Sequence, residues 1–478
     1  MKQLFYKSKL VSVITALTLT IALLLSTVAG LSVMANESES INVWTQQKSA
    51  TAPEGDGTEE KPYLISNGEE LAWAINNKGG TNQYFKLTSD IYLNETDKID
   101  WTTGAADSGY TIKNWGTAYN PFTGTIDGDG HVIYGLYLTV ETSGNPSTGY
   151  SVGLIEKSVG YVEIKNLGID NIYIDTRYTA AAFVGRAGSG NGSVSFSNCF
   201  VGEDATITGS AAGSFVSWGE CSQPDEGQPN YLTINSCYSL AQPVGRGNTA
   251  DKNFAENTWC GLTGAMWGDY FEIRNSYAIG FVSHSTSTTA QISKNYSATQ
   301  GSAGNAQIAY VPEQEMKGIN SINAMPGLVD AFMVTSSYPV LKAFNDVFVN
   351  AVGAETDGTN IRFIMSYAGK QVDGATVVTL AGEELTVVTR GIIVTGADNY
   401  SAELISGTAS SGVVEIYTED LSNNWSFDEE TGTTEFSANI NGLAAADDYA
   451  FSARGYIKLS NGGIYYTNLI TESVASLS

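Results

Sequence analysis

Between residues 162 and 277 a short alternation of apolar and polar residues returns four times. A period of two predicts a strand with one buried and one exposed face. In the last three copies the alternation is followed, in the same order, by a polar residue, a small or thiol side chain and an aromatic residue. The copies occupy residues 162–167, 194–200, 232–238 and 271–277, and a weaker fifth copy occupies 291–296.

A second, glycine-flanked element precedes each of the four copies, at residues 153–156, 182–185, 213–216 and 261–264. The insert between the two elements varies in length, whereas the elements do not, which is typical of the stacked coils of a solenoid. Neither element has a helical period, so the sequence predicts an all-β protein built on a parallel β-helix. We expect an internal column of stacked residues formed by Ile164, Phe196, Ile234 and Ile273. We also expect a ladder of amide side chains at one corner, formed by Asn166, Asn198 and Asn275.

The two ends of a solenoid need covers, because unpaired strand edges would pair with other chains. Residues 61–65 are predicted to form the first strand, and a capping box at 66–69 opens a helix over 69–76 that we expect to cover the first coil. Residues 36–60 are polar and rich in turn-forming residues, and they are predicted to be a flexible lead-in. Residues 311–341 differ in character from the repeats, and we expect them to cover the last coil.

The C-terminal segment, residues 347–478, alternates between apolar and polar residues in several short strands. The residues expected to share the buried face of one strand are Ile361, Phe363 and Met365. The residues expected to point outward from a second strand, over 451–459, are Ser452, Arg454, Tyr456 and Lys458. A hairpin turn is predicted at 460–463. Short antiparallel strands in a segment of this length indicate an immunoglobulin-like β-sandwich.

The first 35 residues predict export. Residues 1–35 have a basic start, an apolar run over 10–25 and small residues before a cleavage site, the pattern of a secretory signal peptide. No later apolar run is long enough to cross a bilayer, so we expect no membrane insertion. The formal net charge of −26 at pH 7 repels phosphate backbones and makes nucleic acid a poor partner. The sequence therefore predicts a secreted protein that can associate with the cell surface.

Four cysteines fall within the repeats: Cys199, Cys221, Cys237 and Cys260. Cys199 and Cys237 hold the same step of successive copies, so we expect them to be neighbours in the stack. Export permits disulfides at these positions. The alternative is that the thiols fill space in the core. The spacings of the cysteines, with two histidines in the whole chain, do not fit a zinc site.

Three segments in succession, 61–72, 87–93 and 122–131, are similar to the opening of right-handed parallel β-helix proteins exported by Gram-positive bacteria of the clostridial type. The repeats resemble Glug motifs, in which a Gly-apolar-Val-Gly step is followed by Ile-x-Asn-Cys/Ser-Tyr. The second and fourth copies match that pattern best, and the third departs from it most. The resemblance covers about residues 61–343 and implies a right-handed β-helix with a helical cap at the first coil.

Parallel β-helices include polysaccharide lyases and galacturonidases, so candidate acids must be considered. Such enzymes use converging carboxylates, or a calcium cluster with a basic proton acceptor. Residues 124–130 resemble a stretch of the polygalacturonases, but the motifs that carry catalysis downstream in those enzymes do not occur in this sequence. We therefore interpret Asp127 and Asp129 as turn residues, and His131 as a structural hydrogen-bonding residue.

Glu163 and Glu272 occupy the same outward step of two copies that have two other copies between them. At about 4.8 Å per coil, their carboxylates would lie about 14 Å apart. This exceeds the roughly 10 Å limit for a pair of glycosidase acids. The sequence thus predicts no catalytic residue, cofactor or metal ligand. The acidic turn at 127–130 is too short for an EF-hand loop, so Ca²⁺ has no supporting ligand set.

Candidate ligand-binding residues lie in or near the inserts of the third and fourth copies. They are Trp218, Trp259, Trp267, Asp269 and Glu272. Exposed aromatic side chains could stack on sugar rings there, and the alternative is that they pack beneath the inserts. The two acidic residues are equally well explained as solvated charges at strand ends.

The favoured hypothesis is a non-catalytic, secreted or surface-associated scaffold that binds an extracellular glycan or protein in the manner of an adhesin. The alternative is a polysaccharide lyase or glycoside hydrolase of the pectin-active β-helix type, which requires two carboxylates within about 10 Å of each other in a groove. A third hypothesis, a structural component of a surface layer, predicts self-assembly instead of ligand binding.

Overall fold

The largest element of the computed structural model is a sheet of 20 strands, in which strands pair in parallel with their counterparts one repeat away. The structure describes residues 42–76, 83–116, 121–140, 151–220, 232–246, 260–267, 270–283, 291–299, 308–318, 321–333, 337–344, 349–372, 375–380, 383–396, 404–407, 413–417, 425–429, 431–444, 448–460 and 462–477. The predicted signal peptide lies outside these ranges. Residues 43–478 belong to one compact unit.

The strands up to residue 310 follow one another closely along the chain. They are β1 Tyr63–Ile65, β2 Gln83–Leu87, β3 Ile91–Tyr92, β4 Ile99–Asp100, β5 Ala105–Ala106, β6 Phe122–Val140, β7 Ser151–Val152, β8 Ile155–Thr176, β9 Thr179–Ala181, β10 Val184–Ser197, β11 Phe200–Val201, β12 Ala205–Gly209, β13 Ala212–Glu220, β14 Leu232–Asn235, β15 Tyr238–Ser239, β16 Val244–Gly245, β17 Cys260–Trp267, β18 Phe271–Arg274, β19 Tyr277–Ala278, β20 Gln291–Ser293, β21 Asn295–Ser297 and β22 Ile308–Tyr310. β4 and β5 pair with each other in antiparallel orientation, and the other strands form the large sheet.

Equivalent residues of successive repeats are paired in register. Phe196 of β10 pairs with Ile164 of β8 and with Ile234 of β14, and Ile234 pairs with Ile273 of β18. Ile292 of β20 continues the column beyond Ile273. All five side chains are at most 1% exposed. The predicted internal column is confirmed, and its burial supplies most of the reason why the strands stack in this register.

The corner that follows this column has a left-handed backbone. Asn166, Asn198 and Asn275 have φ values of +51°, +51° and +49°, a region that asparagine tolerates better than most residues. Asn198 Nδ2 donates a hydrogen bond to Asn166 Oδ1 at 3.1 Å. The predicted ladder is interrupted at Ser236, so Asn275 Nδ2 donates instead to Asn235 Oδ1 at 3.1 Å.

Replacing Asn198 by alanine should lower the free energy of unfolding by about 1–3 kcal/mol, because alanine loses the amide hydrogen bond and pays the steric cost of positive φ. Asn198→Gly is the matched control, since it loses the same hydrogen bond but adopts positive φ freely. Urea denaturation of both variants separates the free energy of the lost hydrogen bond from that of the strained backbone. A glycine variant that is less stable than the alanine variant would contradict this account.

The first repeats are covered by a helix and by the preceding segment. The helix α1, Gly68–Asn76, buries Leu71 and Ile75 in the same core as the large sheet. Its cap lies one residue later than predicted, because Asn67 Oδ1 accepts from Glu70 N at 3.0 Å. Glu70 Oε2 completes the capping box by accepting from the backbone N–H of Ser66 at 2.8 Å.

The described part of the predicted flexible lead-in, residues 42–60, is packed onto these first repeats. Val43 forms a parallel bridge with Tyr92, and the backbone N–H of Trp44 donates to Tyr92 O at 2.9 Å. The Trp44 ring is buried and lies 4.9 Å from the ring of Trp115. Burial of a large aromatic side chain is a sufficient reason for this segment to be held in place.

The chain beyond residue 310 contains short helices and antiparallel strands. The strands are β23 Phe332–Met333, β24 Val340–Leu341, β25 Val349–Glu355, β26 Asn360–Ala368, β27 Lys370–Val372, β28 Ala375–Leu380, β29 Glu383–Gly396, β30 Val413–Tyr417, β31 Trp425–Asp428, β32 Thr433–Asn441, β33 Phe451–Leu459, β34 Ile464–Tyr466 and β35 Ile470–Glu472. The helices are α2 Ser321–Ala324 and α3 Val474–Leu477, with 3₁₀ turns at Glu313–Met316, Pro326–Leu328 and Lys342–Phe344.

Two antiparallel sheets share a core in the C-terminal segment. One has the order β25-β26-β32-β31, and the other has the order β27-β28-β29-β33-β34, with β30 pairing β29 and β35 pairing β33. The predicted buried face of β26 is confirmed, because Ile361, Phe363 and Met365 are fully buried between the sheets. The predicted hairpin after β33 is also confirmed, since β33 pairs with β34.

Residues 311–344 lie along the side of the large sheet, against a column of aromatic side chains, which differs from the predicted position over the last coil. Phe200, Tyr238 and Tyr277 stack with ring centroids 5.0 Å and 5.2 Å apart. Phe332 contacts the rings of Tyr238 and Tyr277, and Phe344 contacts the ring of Phe200. Burial of this aromatic column explains the lateral position, because it covers far more apolar surface than a strand edge offers.

Most of the residues that were predicted to point outward from β33 are also buried, and one of them, Arg454, forms an ion pair with Asp330 of this segment. Arg454 and Tyr456 are 2% and 1% exposed, and Ser452 is buried as well, whereas Lys458 is exposed as predicted. Tyr456 and Tyr466 share a core with Phe332 and Leu341, which we call the junction core. Both faces of the sheet containing β33 are therefore covered, one by the other sheet and one by residues 311–344.

Lys342 lies at the junction core and links its own segment to the C-terminal sheets. Its Nζ donates hydrogen bonds to the carbonyl oxygens of Val329, Asp330 and Tyr466, at 3.2, 2.9 and 2.8 Å. Desolvation and the nearby Arg454 guanidinium lower the pKa of Lys342 to about 7. An unfolded chain leaves this side chain near its ordinary pKa of 10.5.

Between pH 7 and pH 10.5 the unfolded chain therefore binds more protons at Lys342 than the folded chain. The free energy of unfolding should rise with pH across this window, by at most about 1.4 kcal/mol per pH unit from this group. Lys342→Met should remove that rise. Urea denaturation from pH 6 to pH 10 measures it, with Lys458→Met as the exposed lysine control. Equal pH profiles for the wild type and Lys342→Met would refute the assignment.

Candidate functional site

The outer side of the strands that carry the internal column is polar, and we call it the polar face. It contains the outward residues of β2, β6, β8, β10, β14 and β18. These are Lys86, Thr125, Asp127, Glu163, Lys165, Ser195, Ser197, Thr233, Asn235, Glu272 and Arg274, with Tyr161 and Tyr270 along one border. Strand alternation places them outward because the residues between them are buried in the internal column.

Ion pairs tie together the charged side chains of the polar face. Lys165 Nζ lies 3.9 Å from Glu163 Oε2 and 3.8 Å from Asp127 Oδ2. Arg274 Nη1 lies 2.9 Å from Glu272 Oε1 on the same strand. Each of these carboxylates thus has a cation within 4 Å, and Asp127 and Glu163 share Lys165.

The register confirms the predicted spacing of Glu163 and Glu272. Ser195 pairs with Glu163, Thr233 pairs with Ser195, and Glu272 pairs with Thr233. Two strands therefore stand between the two glutamates, which places them about 14 Å apart at about 4.8 Å per strand. These two residues are too far apart to act as an acid and base on one glycosidic bond.

A closer pair of carboxylates, which the sequence reasoning missed, is formed by Asp127 and Glu163. Both lie within 4 Å of the same Lys165 Nζ, so their separation is below the roughly 10 Å limit for paired acids. The sequence could have indicated this contact, because Asp127 and Lys165 occupy equivalent positions on the paired strands β6 and β8. The Lys165 ammonium contacts both carboxylates, whereas in an acid–base pair one of the two carboxyls must carry the proton.

Asp129 and His131 have structural contacts that agree with the turn interpretation. Asp129 has φ of +51°, and its backbone N–H donates to Asp127 Oδ1 at 3.0 Å. Its carboxylate forms an ion pair with Lys86 at 3.0 Å. His131 Nδ1 lies 3.3 Å from Asp90 Oδ1, which also accepts from the backbone N–H of Val132. These contacts hold the corner between the two halves of β6.

Among the described ligand-binding candidates, Trp218 and Trp267 lie on the paired strands β13 and β17, whereas Glu272 lies on neither of them. Trp218 is half-buried in β13, and Glu272 lies in β18, a strand that pairs with β14 and β20. Trp267 ends β17, and only its backbone belongs to the described part of the chain. Trp259 and Asp269 lie outside the described residues. The tyrosines Tyr456, Tyr465 and Tyr466 of the C-terminal sheets are buried in cores and are not displayed for sugar stacking.

Glu156 is a half-buried carboxyl that the sequence reasoning also missed. Burial raises its pKa to about 7. In the part of the chain that the structure describes, Glu156 Oε2 has no hydrogen-bond partner. The sequence could have indicated that Glu156 is unusual, because the equivalent residues on the paired strands are all small. They are Gly185, Ser217 and Gly264. Among these four paired strands, β8 is the one that has a carboxyl side chain at this position.

Cys199 and Cys237 are stacked neighbours, as predicted, and both are free thiols. Each Sγ donates to the carbonyl oxygen two residues earlier, at 3.3 Å, in Ser197 and Asn235 respectively. Burial raises the pKa of the Cys237 thiol well above its ordinary value. Cys260 is buried, and Cys221 lies outside the described residues. The structure therefore agrees with core-filling thiols for Cys199 and Cys237.

The described ranges contain no additional metal site and no membrane-spanning helix. No cluster of three or more His, Cys, Asp or Glu side chains is arranged there to hold a metal ion. Within the same ranges no helix has the length and apolar character needed to span a bilayer.

The fold and the polar face define the class only broadly, as an all-β repeat protein with a long parallel sheet. No protein-family model matches the chain, and no solved structure matches it. Halomucin of Haloquadratum walsbyi, a curated protein, is 35% identical to this chain over 96 residues. The match covers 20% of this chain and 1% of Halomucin, so the chain spans a very small part of that relative.

Proposed function

We propose that the protein is an exported, non-catalytic scaffold that binds an extracellular glycan or protein on its polar face. In this proposal residues 1–35 are a signal peptide and residues 61–343 form a right-handed parallel β-helix with Glug-like coils. Residues 347–478 form an immunoglobulin-like sandwich. The observation that carries the proposal is the polar face itself, a regular array of outward polar side chains on strands held in register.

The charges of the polar face support binding over catalysis. General acid catalysis at neutral pH requires a carboxyl whose proton is retained by burial or by another carboxylate. Asp127, Glu163 and Glu272 each lie within 4 Å of a cation and are only partly buried, so their surroundings do not match that requirement. Ion-paired side chains remain good hydrogen-bond donors and acceptors, so the same groups suit recognition of a polar ligand.

One observation favours a second candidate, a glycoside hydrolase or polysaccharide lyase. Asp127 and Glu163 lie close enough to flank a glycosidic bond, and Lys165 between them is a basic residue. In this alternative a substrate would displace Lys165 from one of the carboxylates, which could then take up a proton.

An assay of product release distinguishes the binding scaffold from the enzyme. It measures reducing ends and unsaturated products released from polygalacturonate, pectin, xylan and mannan. We expect the full chain to release no more than a buffer control does. Asp127→Asn and Glu163→Gln are the matched variants. Product release by the wild type that is lost in either variant would replace the binding proposal with the enzymatic one.

A further inference from the structure

Two equivalent sets of side chains stand on the polar face, three strand positions apart. The first set is Tyr161, Glu163 and Lys165, and the second is Tyr270, Glu272 and Arg274. In both sets a tyrosine borders the face, and an ion-paired glutamate and cation follow at alternate residues. Tyr161 is 46% exposed, so its ring is available to solvent.

The strands between the two sets carry small neutral polar side chains. Ser195 and Ser197 lie outward on β10, and Thr233 and Asn235 lie outward on β14. Their hydroxyl and amide groups are spaced by about 4.8 Å along the stacking direction, because the strands are paired in register. The backbone under these side chains is held by the paired strands, so a ligand bound there would order few main-chain groups.

The charge of the polar face differs from that of the whole chain. Its cations Lys86, Lys165 and Arg274 nearly balance its carboxylates, which belong to Asp127, Asp129, Glu163 and Glu272. The whole chain has a formal charge of −26. A polyanion would be repelled by the protein as a whole, and a polycation would have to displace cations that are already paired. The face is therefore suited to an uncharged polar ligand.

We propose that the polar face binds a neutral, linear glycan that lies along the stacking direction and contacts both sets. This inference deepens the proposed function and rests on it. Tyr161 would stack on the apolar face of a sugar ring, whereas Tyr270, which is half-buried and packed against the core of the large sheet, would border the ligand. Glu163 and Glu272 would accept hydrogen bonds from sugar hydroxyls, and the serine, threonine and asparagine side chains would contact the rings between them.

Isothermal titration calorimetry on the full chain tests this site with cellohexaose, xylohexaose and mannohexaose, and with hexagalacturonate as the anionic counterpart. We expect at least one neutral hexasaccharide to bind, with an affinity that changes little with salt. Tyr161→Ala and Glu272→Gln should each weaken binding by about tenfold or more. Tyr310→Ala is the matched control, because Tyr310 is 47% exposed but lies on β22, away from the polar face. It should change the affinity by less than about twofold.

Several outcomes would overturn the inference. These are the absence of binding by every neutral hexasaccharide, tighter binding of hexagalacturonate, and equal losses in Tyr161→Ala and Tyr310→Ala. The wild type could also self-associate in sedimentation experiments. If Tyr161→Ala abolished that self-association, the polar face would be a contact between copies of this chain. Binding that survives both Tyr161→Ala and Glu272→Gln would reject this site alone and leave the scaffold proposal standing. Shortening of the bound hexasaccharide would reject the proposed function instead.

Discussion

Replacing Phe196 by alanine is expected to lower the free energy of unfolding by about 3–5 kcal/mol. The Phe196 side chain is fully buried at the middle of the internal column, between Ile164 and Ile234. Its ring also contacts Phe183 and Phe215, with centroid distances of 5.6 Å and 5.2 Å. Each repeat is stabilised mainly by its neighbours, so a cavity at this position weakens the contacts of the repeats on both sides.

Urea denaturation followed by circular dichroism measures this effect. The matched control is Ser195→Ala, because Ser195 is adjacent to Phe196 on the same strand but faces outward. We expect that control to change the free energy of unfolding by about 0.5 kcal/mol or less. A Phe196→Ala variant that unfolds at the same urea concentration as the control would show that the internal column does not stabilise the sheet.

Replacing Phe332 by alanine is expected to cost a similar amount, about 3–5 kcal/mol, and to act at a different place. Phe332 is buried in the junction core, and its ring centroid lies 5.6 Å from that of Tyr277 and 6.0 Å from that of Tyr238. The substitution removes the contact through which residues 311–344 hold the aromatic column. The C-terminal sheets should therefore loosen from the large sheet, while the internal column stays intact.

Hydrogen exchange of the full chain separates this effect from general destabilisation. In Phe332→Ala we expect faster exchange in β23 and β33, with little change in β10 and β14. The control is Val388→Ala, because Val388 lies in the C-terminal sheets but is 59% exposed. Uniformly faster exchange over the whole chain would contradict a local role for Phe332.

The internal column was predictable from the sequence because it depends on local alternation and on equivalence between copies. A strand with one buried face has a period of two, and a slip of one residue would expose Ile164, Phe196 and Ile234 together. Patterns of this kind need no knowledge of distant parts of the chain. The same reasoning identified Ile361, Phe363 and Met365 as a buried face.

The predictions that were wrong concern surfaces that are covered by a distant part of the chain. Alternation in β33 correctly separates its two faces, but it does not show that both faces are buried. Arg454 is buried where it forms an ion pair with Asp330, more than a hundred positions earlier, and Tyr456 is buried in the junction core. For the same reason the sequence did not predict that residues 311–344 lie along the side of the large sheet.

The polar face was only partly predictable. The outward positions of Glu163 and Glu272 follow from the alternation, and the register confirms them. The contact between Asp127 and Lys165 follows from the pairing of β6 with β8, and it was not predicted because residues 122–131 were not counted among the copies. Asparagine at a corner suggested a hydrogen-bonding role, but its positive φ was not deduced from the sequence.

The lateral position of residues 311–344 has a consequence for synthesis on the ribosome. The rings of Phe200, Tyr238 and Tyr277 are translated well before Phe332, and before the junction-core residue Tyr456. Until those later residues emerge, these aromatic rings form a row that is exposed to solvent on the surface of the nascent chain. Such a row is a natural target for chaperones, and a chain truncated after residue 310 would be prone to aggregate.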